Sequence, residues 1–135
     1  MIELPYPPSS NRYWRSFAGR MVRSKHAIEY REDVQFLAER AGQTMLIGCV
    51  SVEMVLCPAR PKDWVKRAKK DPDWFLDVKR IDLDNAQKVV LDALQGVAYE
   101  NDRQITRLSI GLGRPIENGG LLVRVSRDES KGIAA

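Results

Sequence analysis

Asp82 and Asp84 stand two residues apart at the mouth of a strongly patterned helical stretch. In an extended lead-in, alternate residues share a side, so these two carboxylates can face one point. All-oxygen donors of that kind suit a hard divalent cation. Lys88 follows one helical turn after Asp84, with about 5 to 6 Å between the side-chain roots. A further acid, Asp102, sits in the turn Asn101-Asp102-Arg103-Gln104. Gathered round magnesium, Asp82, Asp84 and Asp102 would make a site for phosphate chemistry, with open positions for water and substrate. The same residues also have plainer uses. Asp84 can cap the helix, Asp102 can close a turn, and Asp84 with Lys88 can form an exposed ion pair worth about 0.3 to 0.5 kcal/mol. Spacing alone leaves both readings open.

The element that must position these groups is the helix running to Leu94. Ala86, Val89, Val90, Ala93, Leu94 and Val97 recur at the three-and-four spacing of a core-facing stripe, and Gly96 supplies a left-handed stop. Asp84 is the expected N-cap, kept ionised by the helix dipole. Before it, Cys49 to Cys57 alternates as a strand, with Val50, Val52, Met54 and Leu56 on one face. Glu53, on the other face, is either a further carboxylate for the site or a solvated residue. After the helix comes a strand from Ile105, with Thr106, Leu108, Ile110 and Leu112 on one face and Ile105, Arg107 and Ser109 on the other. A second strand, Leu121 to Ser126, is expected to pair back through the Pro115 to Gly120 turn. The strand at Val50, the helix and the strand at Ile105 can form one crossover unit with parallel strands.

Upstream, Ile2 to Leu4 reads as a short strand before Pro5, and Ser9 to Arg12 as loop. Tyr13-Trp14 and Met21-Val22 flank Ala18-Gly19 as an expected hairpin. Ser24 caps a helix running to Ala41, with Gly42 as its stop. In the N-terminal loop Asn11, Arg12 and Tyr13 either touch nucleic acid or close a turn and cap the core. His26, the only histidine, reads as a solvated surface residue of that helix's first turn.

Charge is concentrated rather than spread. Arg60 to Arg80 holds eight basic and four acidic side chains, an excess of four that equals the net charge of the whole 135-residue chain. Within this basic loop of residues 58–81, Pro61 and Pro72 argue against a regular element. Lys66, Arg67, Lys69, Lys70, Lys79 and Arg80 are candidate phosphate contacts. Trp64, Trp74 and Phe75 interleave with them and can stack on bases or anchor the loop.

Several classes are excluded. From Asp82, a calcium loop would need Gly at Gln87 and Glu at Ala93. No Gly-rich phosphate loop or Gly-flanked serine nucleophile is present. Cys49 and Cys57 lie about 26 Å apart along one strand, too far to join, and no cysteine or histidine cluster suggests zinc. An apolar fraction of 44% and the absence of a long apolar run or signal peptide give the expectation of a single cytoplasmic domain over residues 1–135, without membrane contact. The tail, residues 127–135, is expected to fray.

Asp82-x-Asp84-Asn85-x-x-Lys88, a helix, then Asn101-Asp102-x-Gln104 opening a strand, resembles the RusA family of Holliday-junction resolvases. The opening Leu4-Pro5-Tyr6-Pro7-Pro8-Ser9-Ser10-Asn11-Arg12-Tyr13 is similar to that family's N-terminus. The resemblance implies an α+β fold, a mixed sheet packed with two main helices in the order β-β-α-β-α-β-β. It also implies a homodimer that cuts branched DNA, the four-way junction, by paired symmetric nicks. By the same resemblance Asp82, Asp84 and Asp102 bind magnesium, which manganese can replace, and Lys88 is required for cleavage. One departure is Asn101, where many relatives carry a first acid; whether Glu100 replaces it is left open. A nuclease for other branched or duplex DNA, or a non-catalytic DNA-binding protein, are the alternatives.

Overall fold

The computed structural model describes residues 1–132. Its centre is β4 (Val50–Cys57), a strand buried on its helix-facing side at Val50, Val52, Met54 and Leu56. An apolar run of this kind, β-branched and free of proline, is what a central strand needs, because both of its edges are hydrogen-bonded. On one side β4 pairs in parallel with β5 (Ile105–Leu112), on the other antiparallel with β6 (Gly120–Arg127). β1 (Ile2–Leu4) closes the far edge against β6, which gives the order β1-β6-β4-β5.

Two helices cover one face. The first, α2 (Lys25–Arg40), starts as expected at Ser24, whose side chain accepts a bond from Ala27 N at 3.2 Å. It ends at Ala41, followed by Gly42 with φ of +86°. The second, α4 (Leu83–Leu94), buries Ala86, Val89, Val90, Ala93 and Leu94, the stripe read from the sequence. Together with Val34, Ala38, Tyr13, Tyr99 and the inward residues of β4 and β6 they form one core. The class is the expected mixed α+β arrangement, and β4, α4 and β5 make the expected parallel crossover. Among the described residues no helix is long and apolar enough to cross a membrane.

Several local expectations change. β6 does not pair back on β5. The Gly113–Gly119 segment crosses over the end of β4, held by Gly113 N to Leu56 O and Ile116 N to Pro58 O, and delivers β6 to the far side. The path is close: a Cβ at Gly113 would come within 2.6 Å of Val55, and Gly119 runs at φ of +72° against Ala59 and Tyr6. In β5 the pairing shifts register at its start, with Ile105 opposite Val50 and Arg107 opposite Ser51. Thr106 is therefore a bulge residue, and Ile105 joins the core side instead of the Arg107 face.

The other changes concern loops. Ser9 to Arg12 is not all loop, since Ser10–Tyr13 forms a helical turn, α1. The hairpin is present as β2 (Trp14–Phe17) and β3 (Arg20–Arg23), a separate two-stranded sheet. The basic segment contains α3 (Trp64–Lys70) and a 3-10 turn, Trp74–Asp77. Its prolines bracket α3 rather than interrupt it, and Trp64 N bonds Pro61 O. Trp64 and Trp74 stack at 6.0 Å between ring centres, with Arg60 over Trp64 and Arg114 over Phe75. The aromatics thus anchor the segment. Nor does the chain fray at Arg127: that residue pairs with Val50, and Asp128 is buried, with its backbone N bonded to Cys49 O. A short helix, α5 (Glu129–Gly132), follows, and the remainder of the expected tail lies outside the described residues.

Candidate active site

The N-terminal segment and α4, far apart in sequence, are tied at three points along the helix. The hydroxyl of Tyr6 accepts from Ile81 N at 2.8 Å, just before α4. Ser10 donates its hydroxyl to the side-chain amide oxygen, Oδ1, of Asn85 in the first turn. Tyr13 donates its hydroxyl to Asp92 in the last turn. This is a physical reason for the opening motif and the aspartate motif to occur together: one holds the other's helix.

Asp92 is the hub of that attachment. It accepts two bonds from Arg23, each at 2.8 Å, and one from Arg31 at 3.2 Å. Burial alone would raise its carboxyl pKa, but the bonds from Arg23 and Tyr13 and the charges of Arg23 and Arg31 outweigh this and hold it below the ordinary value. Burial, then the bond to Asp92, pushes the Tyr13 phenol up. Sequence reasoning did not find this network. A signal existed, since an acid in the last turn of a helix opposes the macrodipole and calls for cationic partners.

Helix α4 begins two residues earlier than expected. Asp82, not Asp84, is at the N-cap, with φ −64° and ψ 146°, and Asp84 lies in the first turn. Either acid suits a helix start, so the sequence did not separate them. Asp82 makes no side-chain capping bond, and Asp82, Asp84 and Lys88 are all exposed. Among the described residues no ion pair joins Asp84 to Lys88. Among the described residues, then, Asp82 takes the N-cap position without a side-chain bond and Asp84 makes no ion pair.

Asp102 is also exposed and opens a short 3-10 turn, Asp102–Gln104. The turn is firmly built. Asn101 accepts from Arg103 N at 2.9 Å, while the Gln104 side chain accepts from Asn101 N and Glu100 N and donates to Leu46 O and Gly48 O. Asn101, the departure from the family pattern, thus serves as the cap of this turn. Glu53 lies on the sheet face away from α4, 3.6 Å from Arg124, and takes the solvated reading.

The two ends of the candidate site are separated in one chain. Tyr99 donates its hydroxyl to Leu91 O at 2.6 Å, and after burial the nearby Asp102 charge is the next cause raising its phenol pKa. Asp102 thus lies near Tyr99, which is bonded to the C-terminal half of α4, whereas Asp82 and Asp84 stand at the start of that helix. Lys88 lies between them. Among the described residues no three His, Cys, Asp or Glu side chains come together as a group able to hold a metal ion. The donor chemistry fits a hard cation, but one chain on its own does not assemble the set.

Of the candidate DNA contacts, Asn11 and Arg12 are exposed beside the start of α4, with Arg12 Nη2 3.4 Å from His26 Nε2. Tyr13 is not available: it is fully buried, and its hydroxyl is used by Asp92. Lys66, Lys69, Lys70 and Lys79 are exposed; Arg67 pairs with Asp63 at 3.0 Å, and half-buried Arg80 bonds Ile81 O.

An α+β domain whose crossover helix carries exposed aspartates and a lysine at its open end is a scaffold on which nuclease chemistry can be mounted. The chain belongs to the RusA endodeoxyribonuclease family, whose model matches residues 5–126. It is 29% identical over 128 residues to the crossover junction endodeoxyribonuclease of Enterobacteria phage HK97, covering 94% of this chain and 93% of the relative. It is also 29% identical over 122 residues to the crossover junction endodeoxyribonuclease RusA of Escherichia coli strain K12, covering 90% and 88%.

Proposed function

We propose that this protein is a magnesium-dependent endonuclease that resolves Holliday junctions by paired symmetric nicks during recombination and repair, acting in the cytoplasm as a homodimer. The observation that carries this reading is the joint one at α4. The chain matches a junction-endonuclease family over nearly its whole length, and the residues of the family motif, Asp82, Asp84, Lys88 and Asp102, are exposed. Buried or bonded acids would have spoken for a purely structural motif.

Asp82, Asp84 and Asp102 would hold the magnesium ion, for which manganese can substitute. When bound, the ion would polarise the scissile phosphate and lower the pKa of the attacking water. Lys88, an exposed cation between the two acid groups, offsets charge that builds on the phosphate in the transition state. The rigid turn at Asn101 to Gln104 fixes Asp102, and the tethers from Tyr6, Ser10 and Tyr13 fix α4. Lys66, Lys69 and Lys70 on α3, with Lys79, Asn11 and Arg12, supply attraction for phosphates.

The separation of Asp102 from Asp82 and Asp84 supports the homodimer. In a two-fold dimer, Asp102 of one copy can complete the acid set of the other, giving two equivalent sites for the two nicks. The test is cleavage of a synthetic four-way junction, a flap and a linear duplex, each with magnesium or with chelator. Paired nicks in the junction that need the metal are expected. Preferential cutting of the flap or duplex would make this a different nuclease, and binding without cleavage a DNA-binding protein only.

A further inference from the structure

From Leu4 to Ile28 the chain holds no Asp or Glu, and Arg12, Arg15, Arg20, Arg23 and Lys25 all fall within that stretch. The net charge hides this second basic region, because acids elsewhere cancel it. Its centre is the hairpin of β2 and β3, whose root is fixed to α4. Tyr13, just before β2, and Arg23, the last residue of β3, both bond Asp92. From that root the strands project about 10 Å to the turn. Arg23 is used in the attachment, whereas Arg12, Arg15, Arg20 and Lys25 are exposed and form no ion pair among the described residues.

The tip has the opposite character. A two-residue hairpin turn with positive φ at both centres normally takes Asn-Gly or Asp-Gly; here it is Ala18-Gly19, at φ of +52° and +77°. An alanine in the left-handed region is strained, and it leaves the turn without a polar side chain. Phe17 and Met21 flank the turn and are 55% and 65% exposed. Phe17 stands opposite Arg20, and Met21 opposite Ser16. The two apolar side chains therefore lie on opposite faces of the ribbon, with Arg15 and Arg20 on the Phe17 face. The Arg15 guanidinium is 5.2 Å from the centre of the Phe17 ring.

We propose that this tip is a wedge that enters DNA at the branch point, Phe17 stacking on a base while Arg15 and Arg20 hold the flanking phosphates. The proposal rests on the reading that the substrate is a four-way junction. Charge selects a nucleic acid as the occupant, and the attachment at Asp92 mounts the wedge on the helix that carries Asp82, Asp84 and Lys88. Apolar side chains that insert between base steps must unstack them. In a linear duplex that cost falls in full, whereas at a branch point the stack is already interrupted and insertion costs less. The tip thereby favours branched DNA over duplex. The lysines of α3, drawn to any phosphate, do not discriminate in this way.

The test uses the full chain with chelator, so that DNA is bound and not cut, and junctions carrying the fluorescent base analogue aminopurine beside the branch point or within an arm. Wild type should raise the branch-point signal, which reports lost stacking, and leave the arm signal unchanged. Phe17→Ala should weaken junction binding about 10-fold or more, with duplex binding changed less than about 2-fold, and should abolish the rise in fluorescence. Phe17→Trp should keep both, Met21→Ala should lessen the rise, and Tm should stay constant because both side chains are exposed. Phe17→Ala and Met21→Ala variants that bind the junction and unstack its centre as the wild type does would overturn the proposal; cutting of that junction in magnesium would still leave the nuclease reading in place. An equal loss of affinity for junction and duplex would also overturn it, as would dissociation of a dimer by Phe17→Ala, which would make the tip a contact between copies. A wild type that unstacks the branch point through Phe17 but cuts no DNA would support the wedge and remove the nuclease reading alone.

Discussion

Replacing Asp92 with asparagine should loosen the attachment of α4 without touching the candidate catalytic groups. The carboxylate is only 15% exposed and accepts bonds from Tyr13, Arg23 and Arg31. Charge-assisted bonds of this kind contribute about 1.5 to 3 kcal/mol when shielded from water. The Arg23 share must be discounted towards about 0.5 kcal/mol, because its side chain is 40% exposed. Asparagine keeps one acceptor but turns an amide donor towards two guanidinium groups and the Tyr13 hydroxyl. A net loss of about 2 to 3 kcal/mol follows, a fall in Tm of about 10 °C for a domain of this size.

The loss should depend on pH in a defined sense. The Asp92 carboxyl is held below its ordinary value in the folded protein. Its stabilisation is therefore complete above the unfolded value, near pH 4, and is lost as pH falls through the lower folded value. Urea unfolding of both proteins should show a constant gap from pH 7 to about pH 5 that narrows below about pH 4. A gap under about 0.5 kcal/mol, or one unchanged to pH 2, would refute the assignment of Asp92 as an ionised hub.

Asp82→Asn and Asp102→Asn should each abolish cleavage while retaining junction binding, measured by gel shift, because each removes a ligand charge but no cation; either variant cutting at the wild-type rate sinks the assigned site. Replacing Lys66, Arg67, Lys69 and Lys70 with alanine should weaken junction binding and flatten its salt dependence, by up to about 0.9 log-log units per lost duplex contact; an unchanged slope places α3 off the DNA. Lys88→Met should cut the single-turnover rate about 100-fold or more, about 2.7 kcal/mol, with Tm nearly unchanged, since Lys88 is exposed and forms no ion pair among the described residues. A near-normal rate would remove it from the catalytic set.

What could be read from the sequence was what periodicity and caps encode locally. The β4 alternation, the Ser24 cap, the α4 stripe and the Gly96 stop (φ +100°) all appear where expected. The placement of β6 beside β4 was not legible, because alternation tells which face a residue takes and not which strand lies next to it. The Thr106 bulge arises from pairing with β4 and has no signature within β5 itself. Pro61 and Pro72 suggested an irregular loop, yet the gap between them leaves room for the seven residues of α3. Tyr13 was open to two readings, a nucleic-acid contact or a cap on the core, and the distant Asp92 that receives its hydroxyl goes with the second. The motif residues were legible as a pattern, whereas the fact that Asp82, Asp84 and Asp102 do not come together within one chain, among the described residues, was not.

That separation makes the sharing of acids between two copies the central claim, and subunit mixing tests it most directly. Asp82→Asn and Asp102→Asn chains, each inactive as a homodimer, are co-expressed with different tags and purified as the heterodimer. If Asp82 and Asp84 of one copy work with Asp102 of the other, the heterodimer holds one fully intact acid set and one doubly damaged set. It should nick one strand of a four-way junction in magnesium at about half the wild-type rate for a first nick, and should not complete the paired cut. A heterodimer as inactive as its parents would contradict the account, because each chain would then require its own three aspartates.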